Sequence, residues 1–144
     1  MRQNFEPKVW GPHAWFFLET AAMGYSTDPT YEEKKAAENF FNSLHFIIPC
    51  EKCRNNYKKH INSHPLNDKV LSSRDNLFMW IVDVHNSVDP NNTRSYDDTF
   101  KYYMKEFNVE VNDDTEKKNN PNRLFYLFII IFIIFLIYQI YLNF

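Results

Sequence analysis

The sequence predicts an all-α fold: a four-helix bundle with a short fifth helix, followed by a C-terminal transmembrane helix. The 144 residues include only two glycines, whereas aromatic residues make up 18% of the chain. Few turn-forming residues and many large apolar side chains favour helices over a β-sandwich or barrel. One uncharged apolar run near the C-terminus is long enough to cross a bilayer. The remaining length suffices for one compact domain.

The first two helices are predicted from their ends and their periodicity. Pro12 suits a first helical turn and Gly24 suits a stop, so we expect the first helix over about 12–24. Thr30 and Glu33 have the spacing of a capping box, which predicts the start of the second helix. The expected buried positions are Trp15, Leu18, Ala22 and Tyr25 in the first helix and Ala36, Phe40, Leu44 and Ile47 in the second.

Three further helices follow. The third is expected over 49–62, where a proline opens it and both cysteines lie near its start. Ser72 or Ser73 can cap a fourth helix over about 74–86, and a short fifth helix is expected over 95–107. The expected buried face of the fourth helix is Leu77, Trp80, Ile81, Val84 and Val88.

The rest of the chain is predicted to be a linker and an anchor attached to the helical domain of residues 1–107. Residues 108–123 are polar and rich in amides, as is typical of a flexible linker. Residues 124–142 carry no charged side chain. At about 1.5 Å per residue they span about 28 Å, close to the thickness of the bilayer's hydrocarbon core. A buried core helix is the alternative, but it would need a larger domain around it.

The charge pattern predicts how the chain is placed relative to a membrane. Lys117, Lys118 and Arg123 precede the apolar run, and the positive-inside rule then puts the N-terminal domain in the cytosol. We expect a single-pass tail anchor, because no apolar signal segment follows Met1. The formal net charge of −2 gives no basic surface, so no nucleic-acid partner is expected.

The two cysteines, Cys50 and Cys53, form a C-x-x-C motif at the start of the third helix. Unpaired N–H groups and the positive end of the helix dipole stabilise a thiolate there, which favours a dithiol/disulfide redox pair. Two cysteines are too few for a disulfide framework. We expect Cys50 to be the more exposed sulfur and Cys53 to lie one turn deeper.

Three other interpretations of this motif remain open. His60 and His64 complete a set of four nominal zinc ligands, although the six-residue gap lies on one helix and directs His60 away from the sulfurs. The cysteines could also be buried structural residues. A thioredoxin-like fold is a third possibility, but it requires strands before the motif, and the sequence predicts none.

A redox dithiol needs an acceptor, and no second cysteine pair is present to serve as one. The acceptor must therefore be a cofactor or another protein. Aromatic and polar residues suited to a planar cofactor are Trp10, Trp15, Tyr57, Trp80, His85 and Asn86. By their chemistry alone these residues could equally belong to the core.

Four segments together resemble the Erv/ALR sulfhydryl oxidase family across about residues 8–105. They are Trp10-Gly11-Pro12-His13-Ala14-Trp15-x-x-Leu18, Cys50-x-x-Cys53, the loop residues Asn62-x-His64-Pro65 with Ser73-Arg74-Asp75, and Trp80-x4-His85-Asn86-x-Val88-Asp89. The resemblance implies an FAD enzyme that oxidises dithiols and passes the electrons to oxygen, giving hydrogen peroxide. It further implies that Cys53 lies against the flavin, that Cys50 exchanges with substrate, and that the protein is a homodimer.

The resemblance also defines the expected site and its partners. The catalytic residues are Cys50 and Cys53, and no metal is expected. The expected FAD-binding residues are Trp10, Gly11, His13, Trp15, Tyr57, His85, Asn86, Val88, Asp89 and Arg94. The expected substrate is a dithiol protein, such as a thioredoxin- or glutaredoxin-like carrier.

Some positions depart from the family pattern. Glu19 stands where the family often has histidine, Asp89 replaces an asparagine, and Arg94 is the nearest counterpart of a phosphate-binding lysine. The chain has no shuttle C-x-x-C, and in this it resembles the short members found in large DNA viruses. A host-cell or virion membrane would then carry the anchor.

Two functions without flavin chemistry remain as alternatives. One is a non-enzymatic, membrane-anchored helical adaptor whose cysteine pair is structural or zinc-bound. The other is an oxidoreductase that only exchanges disulfides. The colour of the purified protein would separate both from a flavoenzyme.

Overall fold

The computed structural model describes residues 3–109, 128–129 and 131–133. Within these residues every regular element is helical and no strand occurs, which confirms the all-α prediction. The α-helices are α1 (Pro7–Met23), α2 (Tyr31–Ile47), α3 (Glu51–Ser63), α4 (Arg74–Val88) and α5 (Tyr96–Glu106). A single 3₁₀ turn, Val70–Ser72, precedes α4.

The first helix begins earlier than predicted. Pro7 occupies its first turn, whereas Pro12 lies inside the helix. A proline at an interior position keeps a helical φ but removes one backbone N–H donor, so the helix can pass through it at a cost. The predicted start at Pro12 is therefore wrong. The predicted end is confirmed, because Gly24 is the C-cap residue.

The second helix has the predicted start but a different buried face. Thr30 and Glu33 form a reciprocal capping box, since Thr30 N–H donates to Glu33 Oε2 over 2.7 Å and Glu33 N–H donates to Thr30 Oγ1 over 3.2 Å. Phe41 and Leu44 are buried, whereas Phe40 and Ile47 are 36% and 72% exposed. The predicted stripe is rotated by about one residue, because α3 packs beside the face that carries Phe41.

The fourth helix lies at the centre of the bundle. It packs against α1, α3, α5 and the 3₁₀ turn, so side chains on several of its faces are buried. The predicted core positions Leu77, Trp80, Ile81 and Val84 are buried, together with Phe78 and Val82. Val88, also predicted to be buried, is 43% exposed. It lies in the last turn of α4, where it lines a cavity.

The chain divides into two compact units, residues 1–107 and residues 108–144. In the second unit, residues 128–129 and 131–133 are helical, and Phe128, Ile131 and Phe132 are more than 60% exposed. Among the residues that the structure describes, no helix is long and apolar enough to span a membrane. The rest of the predicted anchor (124–142), and all of the predicted linker (108–123) after residue 109, lie outside the described residues.

Candidate active site

The cysteine pair sits at the N-terminus of α3 as a disulfide. Cys50 is the N-cap residue, with an extended backbone at φ −147° and ψ 120°. Its Sγ accepts a hydrogen bond from the backbone N–H of Cys53 over 3.2 Å. A sulfur at this position is stabilised as a thiolate by the same N–H group and by the helix dipole. The local geometry therefore suits reversible thiol chemistry.

The exposure of the two cysteines is the reverse of the predicted order. Cys50 is only 5% exposed, whereas Cys53 is partly exposed. The chain on both sides of Cys50 is held by the N-terminal segment: Phe5 N–H donates to the Pro49 carbonyl over 2.7 Å, and Glu51 N–H donates to Asn4 Oδ1 over 3.0 Å. The prediction that Cys50 is the more accessible cysteine is wrong for this structure, in which Cys50 is buried and its two chain neighbours are bonded to the N-terminal segment.

A cavity of about 780 Å³ lies beside Cys53. Small-molecule and cofactor sites have volumes of roughly 300–1,000 Å³, so the cavity is large enough for an extended cofactor. Its walls are mostly aromatic and aliphatic. They comprise Pro7, Lys8, Trp10, Gly11, Pro12, Ala14, Trp15, Phe16, Phe17, Leu18, Glu19, Phe40, Leu44, Ile47, Ile48, Pro49, Cys53, Asn56, Tyr57, His85, Val88, Asp89, Arg94, Tyr102 and Tyr103.

Most of the predicted site residues meet in this lining. Trp10, Gly11, Trp15, Tyr57, His85, Val88, Asp89 and Arg94 all contribute to it. His13 is exposed on α1, and Asn86 lies outside the lining. The Asn86 amide instead holds the backbone of Arg94: its Nδ2 donates to the Arg94 carbonyl, and its Oδ1 accepts from the Arg94 N–H, both over 2.9 Å. Asn86 thereby fixes the loop that brings Arg94 to the cavity.

Two aromatic rings form a flat wall. Trp15 and His85 are stacked with ring centroids 4.1 Å apart and an interplanar angle of 7°. Tyr57 closes another part of the cavity and is buried, with its hydroxyl donating to the Phe41 carbonyl over 3.1 Å. Burial raises the pKa of Tyr57 above its ordinary value, so the hydroxyl stays protonated. Trp80, by contrast, belongs to the core, and its indole N–H donates to the His64 carbonyl over 2.7 Å.

Apolar side chains on α1 and α2 line the cavity without being buried. Phe17, Phe40 and Ile47 are 58%, 36% and 72% exposed, and all three belong to its walls. Large apolar side chains grouped at an open cavity are typical of a ligand or partner surface. A bound planar molecule would remove part of this apolar surface from water.

Glu19 is a site residue that the expected FAD-binding set leaves out. It is 1% exposed, with Oε1 lying 2.5 Å from His85 Nδ1 and Oε2 lying 2.5 Å from the hydroxyl of Tyr103. Burial, and next the hydrogen bond to Glu19, raise the pKa of Tyr103 above its ordinary value. The available signal was a carboxylate adjacent to Leu18 on the predicted apolar face of the first helix.

In the described part of the chain, the nominal zinc ligands do not come together as a metal site. No three His, Cys, Asp or Glu side chains are grouped there as metal ligands. His60 Nδ1 lies 2.8 Å from the Ser87 hydroxyl, and His64 Nδ1 lies 3.1 Å from the Ser63 hydroxyl. Burial lowers the pKa of His60.

The fold and the site together define a class of protein: a helical bundle that carries a dithiol/disulfide pair at a helix N-terminus, beside a cavity of cofactor size. Residues 12–108 match the model of the Erv1/Alr family. The chain belongs to that family.

Viral relatives are among the similar proteins. A protein of Acanthamoeba polyphaga mimivirus, named as a probable FAD-linked sulfhydryl oxidase, is 48% identical over 83 residues, which are 58% of this chain and 58% of the relative. The FAD-linked sulfhydryl oxidase of African swine fever virus is 30% identical over 82 residues, which are 56% of this chain and 65% of the relative. The chain thus spans less than two thirds of the length of either relative.

A solved structure has the same fold. The FAD-binding domain of Erv1 from Saccharomyces cerevisiae superposes with a TM-score of 0.61 at 22% identity, covering 75% of this chain and 100% of that domain. At this level of identity the comparison establishes the shared helical architecture.

Proposed function

We propose that this chain is an FAD-dependent thiol oxidase that forms disulfide bonds in partner proteins through Cys50 and Cys53. The observation that carries the proposal is the position of Cys53, which is bonded to Cys50 and lines the cavity. A pair in this position can exchange with a thiol substrate through one sulfur and deliver electrons to a bound acceptor through the other. Family membership and the names of the two viral relatives support the same activity.

The cavity has the chemistry that FAD requires. Trp15 and His85 offer a flat aromatic surface for a planar ring system. Lys8 and Arg94 lie in the lining, where cationic side chains suit a pyrophosphate. The residues proposed to hold the cofactor are Trp10, Gly11, Trp15, Tyr57, His85, Val88, Asp89 and Arg94, with Asn86 supporting Arg94. When bound, FAD supplies a two-electron acceptor that passes its electrons to oxygen.

The two cysteines divide the exchange between them. A substrate thiolate attacks Cys50 Sγ, which breaks the Cys50–Cys53 bond, forms a mixed disulfide and leaves Cys53 as a thiolate at the cavity. The second substrate thiolate then attacks the mixed disulfide, releasing oxidised substrate and reduced Cys50. Reclosure of Cys50–Cys53 releases two electrons and two protons. Overall, one dithiol and one oxygen molecule give one disulfide and one hydrogen peroxide.

The start of α3 stabilises the charged sulfurs that this exchange needs. The backbone N–H of Cys53 donates to Cys50 Sγ, and the helix dipole adds positive potential at the same point. Arg54 is held nearby, since its guanidinium donates to the Ile48 carbonyl over 2.8 Å. A cation one turn into the helix favours the thiolate form of a neighbouring cysteine.

We propose a dithiol protein as the substrate, such as a thioredoxin- or glutaredoxin-like carrier, and oxygen as the terminal acceptor. Because Cys50 is buried and the N-terminal segment is bonded to Pro49, we propose that this segment moves aside before a protein thiol reaches Cys50. A homodimer is also proposed, as the resemblance to the family implies. Light scattering on the purified protein measures that oligomeric state.

We further propose that residues 124–142 anchor the enzyme in a membrane, with the catalytic domain in the cytosol. The run has no charged side chain, and its described residues are helical with exposed apolar side chains such as Phe128 and Ile131. Exposed side chains of this type would be buried by lipid. In a virus, a host-cell or virion membrane would carry the anchor.

An absorbance spectrum of the purified full chain in detergent tests the oxidase proposal. The expected result is flavin absorbance in the visible range, together with oxygen consumption that depends on added dithiol. Released flavin identified by chromatography establishes that the cofactor is FAD. A folded, colourless protein that cannot be reconstituted with FAD would contradict the proposal and would favour a non-enzymatic adaptor or a flavin-free disulfide exchanger.

A further inference from the structure

Glu19 is a buried carboxylate whose partners come from two other helices. It extends from α1, whereas His85 belongs to α4 and Tyr103 to α5. A buried polar group is costly unless it is hydrogen-bonded, and both oxygens of Glu19 are engaged. Leu18 and Ala22 on the same face of α1 are ordinary core residues. The carboxylate therefore has a role that apolar packing does not provide.

We propose that Glu19 is a positioning residue for the cofactor cavity: it fixes the orientation and tautomer of His85 so that Nε2 is the ring nitrogen presented to the ligand. The inference rests on the proposed function in one respect, namely that the ligand is FAD. His85 itself lines the cavity, so the orientation of its ring determines which atom a ligand meets.

Two contacts restrict the His85 ring. The ring nitrogen that faces Glu19 is Nδ1, and we infer that it is the nitrogen that donates, because the carboxyl oxygen at this position is the natural acceptor. Trp15 stacks on the ring face at 4.1 Å and fixes the ring plane. With Nδ1 engaged and the plane fixed, Nε2 remains for the ligand.

Tyr103 restricts the carboxylate in turn. Its hydroxyl donates to Glu19 Oε2 and remains protonated, since burial and this hydrogen bond raise the pKa of the phenol. A second donor prevents the carboxylate from rotating away from His85. Tyr103 of α5 thus orients Glu19 of α1, and Glu19 in turn orients His85 of α4.

Four full-length variants separate positioning from simple packing. Glu19→Ala removes the acceptor, and Glu19→Met removes it while keeping a similar volume. Glu19→Gln keeps an acceptor of the same shape, and Tyr103→Phe keeps Glu19 but removes its second donor. Nitrogen-15 NMR of the imidazole ring in the FAD-free protein reports which nitrogen of His85 carries the proton. Titration of FAD into the same protein, followed by flavin fluorescence, gives the dissociation constant.

We expect the wild-type protein to show His85 protonated at Nδ1. Glu19→Ala should lose this signature and bind FAD about tenfold more weakly, as expected for the loss of one oriented hydrogen bond. Glu19→Gln should restore the Nδ1–H signature and most of the affinity. Glu19→Met should lose the signature and bind FAD as weakly as Glu19→Ala does. Tyr103→Phe should keep the signature, because Glu19 remains, and should weaken FAD binding less than Glu19→Ala does.

Two outcomes would overturn the inference. In one, Glu19→Ala keeps both the Nδ1–H signature and wild-type affinity. In the other, Glu19→Met, which fills a similar volume without an acceptor, restores wild-type affinity, which indicates a general packing effect. If Glu19→Ala does not fold, Glu19→Met takes its place, since both variants lack the acceptor. A wild-type protein that binds no FAD would contradict the proposed function, while the NMR signature would still test the positioning of His85.

Discussion

The backbone N–H of Phe5 donates to the carbonyl of Pro49 over 2.7 Å, so the segment before α1 is attached to the residue that precedes Cys50. Asn4 adds a second bond from the other side, where its Oδ1 accepts from the Glu51 N–H. Trp10 Nε1 donates to the Phe5 carbonyl over 3.3 Å and keeps the segment against α1. We therefore expect access to buried Cys50 to depend on these two hydrogen bonds.

Weakening this attachment should expose Cys50. Phe5→Pro removes the N–H donor and Asn4→Ala removes the acceptor, each a hydrogen bond worth about 0.5–1.5 kcal/mol. The rate at which an alkylating reagent modifies Cys50 in the reduced protein should rise about two- to tenfold per bond. Mass spectrometry of the peptide that contains Cys50 measures this rate. Gln3→Ala is the matched control, and equal rates in all variants would show that the segment does not cover the sulfur.

The two cysteines should be separable by absorbance rather than by activity. Cys50→Ser should leave the Cys53 thiolate facing bound FAD, which gives a long-wavelength charge-transfer band beyond the flavin's own bands. Cys53→Ser should lack this band, and both variants should lose turnover because neither can form the internal disulfide. A spectrum of each variant across a pH series makes the measurement. A band in the Cys53 variant alone would reverse the assignment.

The buried tyrosines should make the fold sensitive to alkaline pH. Burial raises the pKa of Tyr57, and burial together with the bond to Glu19 raises that of Tyr103, above the ordinary value of 10.0. Above about pH 10 the unfolded chain therefore loses phenolic protons that the folded chain keeps. The free energy of unfolding should fall by up to about 1.4 kcal/mol per pH unit for each of the two tyrosines.

Urea unfolding of the FAD-free protein between pH 9 and pH 11.5 measures this slope. Tyr57→Phe and Tyr103→Phe should each make the slope less steep by up to about 1.4 kcal/mol per pH unit, which is the contribution of one proton. Tyr31→Phe serves as the control, since Tyr31 is 70% exposed and should leave the slope unchanged. An unchanged slope in both buried variants would mean that these phenols titrate alike in the folded and unfolded chains.

Deleting residues 124–144 should move the protein from the membrane fraction to the soluble fraction without loss of oxidase activity. Residues 1–107 form a compact unit of their own and contain the whole cavity, which gives the physical reason. Fractionation after carbonate extraction, followed by an oxygen-consumption assay, makes the measurement. Replacing the run with an unrelated transmembrane segment is the control, and it should return the protein to the membrane. An unfolded truncated protein would show instead that the apolar run belongs to the core.

Local patterns in the sequence predicted the helices well. The capping box of Thr30 and Glu33 and the cap at Ser95 involve residues three apart, so neighbours along the chain determine them. The helix-start geometry of Cys50 and Cys53 is local in the same sense. The rotation of α2 was not predictable in this way, because Phe40 and Phe41 are adjacent and equally apolar. Packing against α3 selects Phe41 for the core and leaves Phe40 at the cavity.

The sequence by itself determined the helical class and the redox motif at a helix N-terminus, and eight of the ten expected FAD-binding residues do line the cavity. Only the tertiary structure decided that Cys50 is buried, with residues 4 and 5 bonded to its chain neighbours, and that Glu19 joins His85 and Tyr103. The physical reason is separation along the chain. Helix caps and periodic faces depend on residues three or four apart, whereas Glu19 meets partners 66 and 84 residues away, which only the packing of three helices brings together.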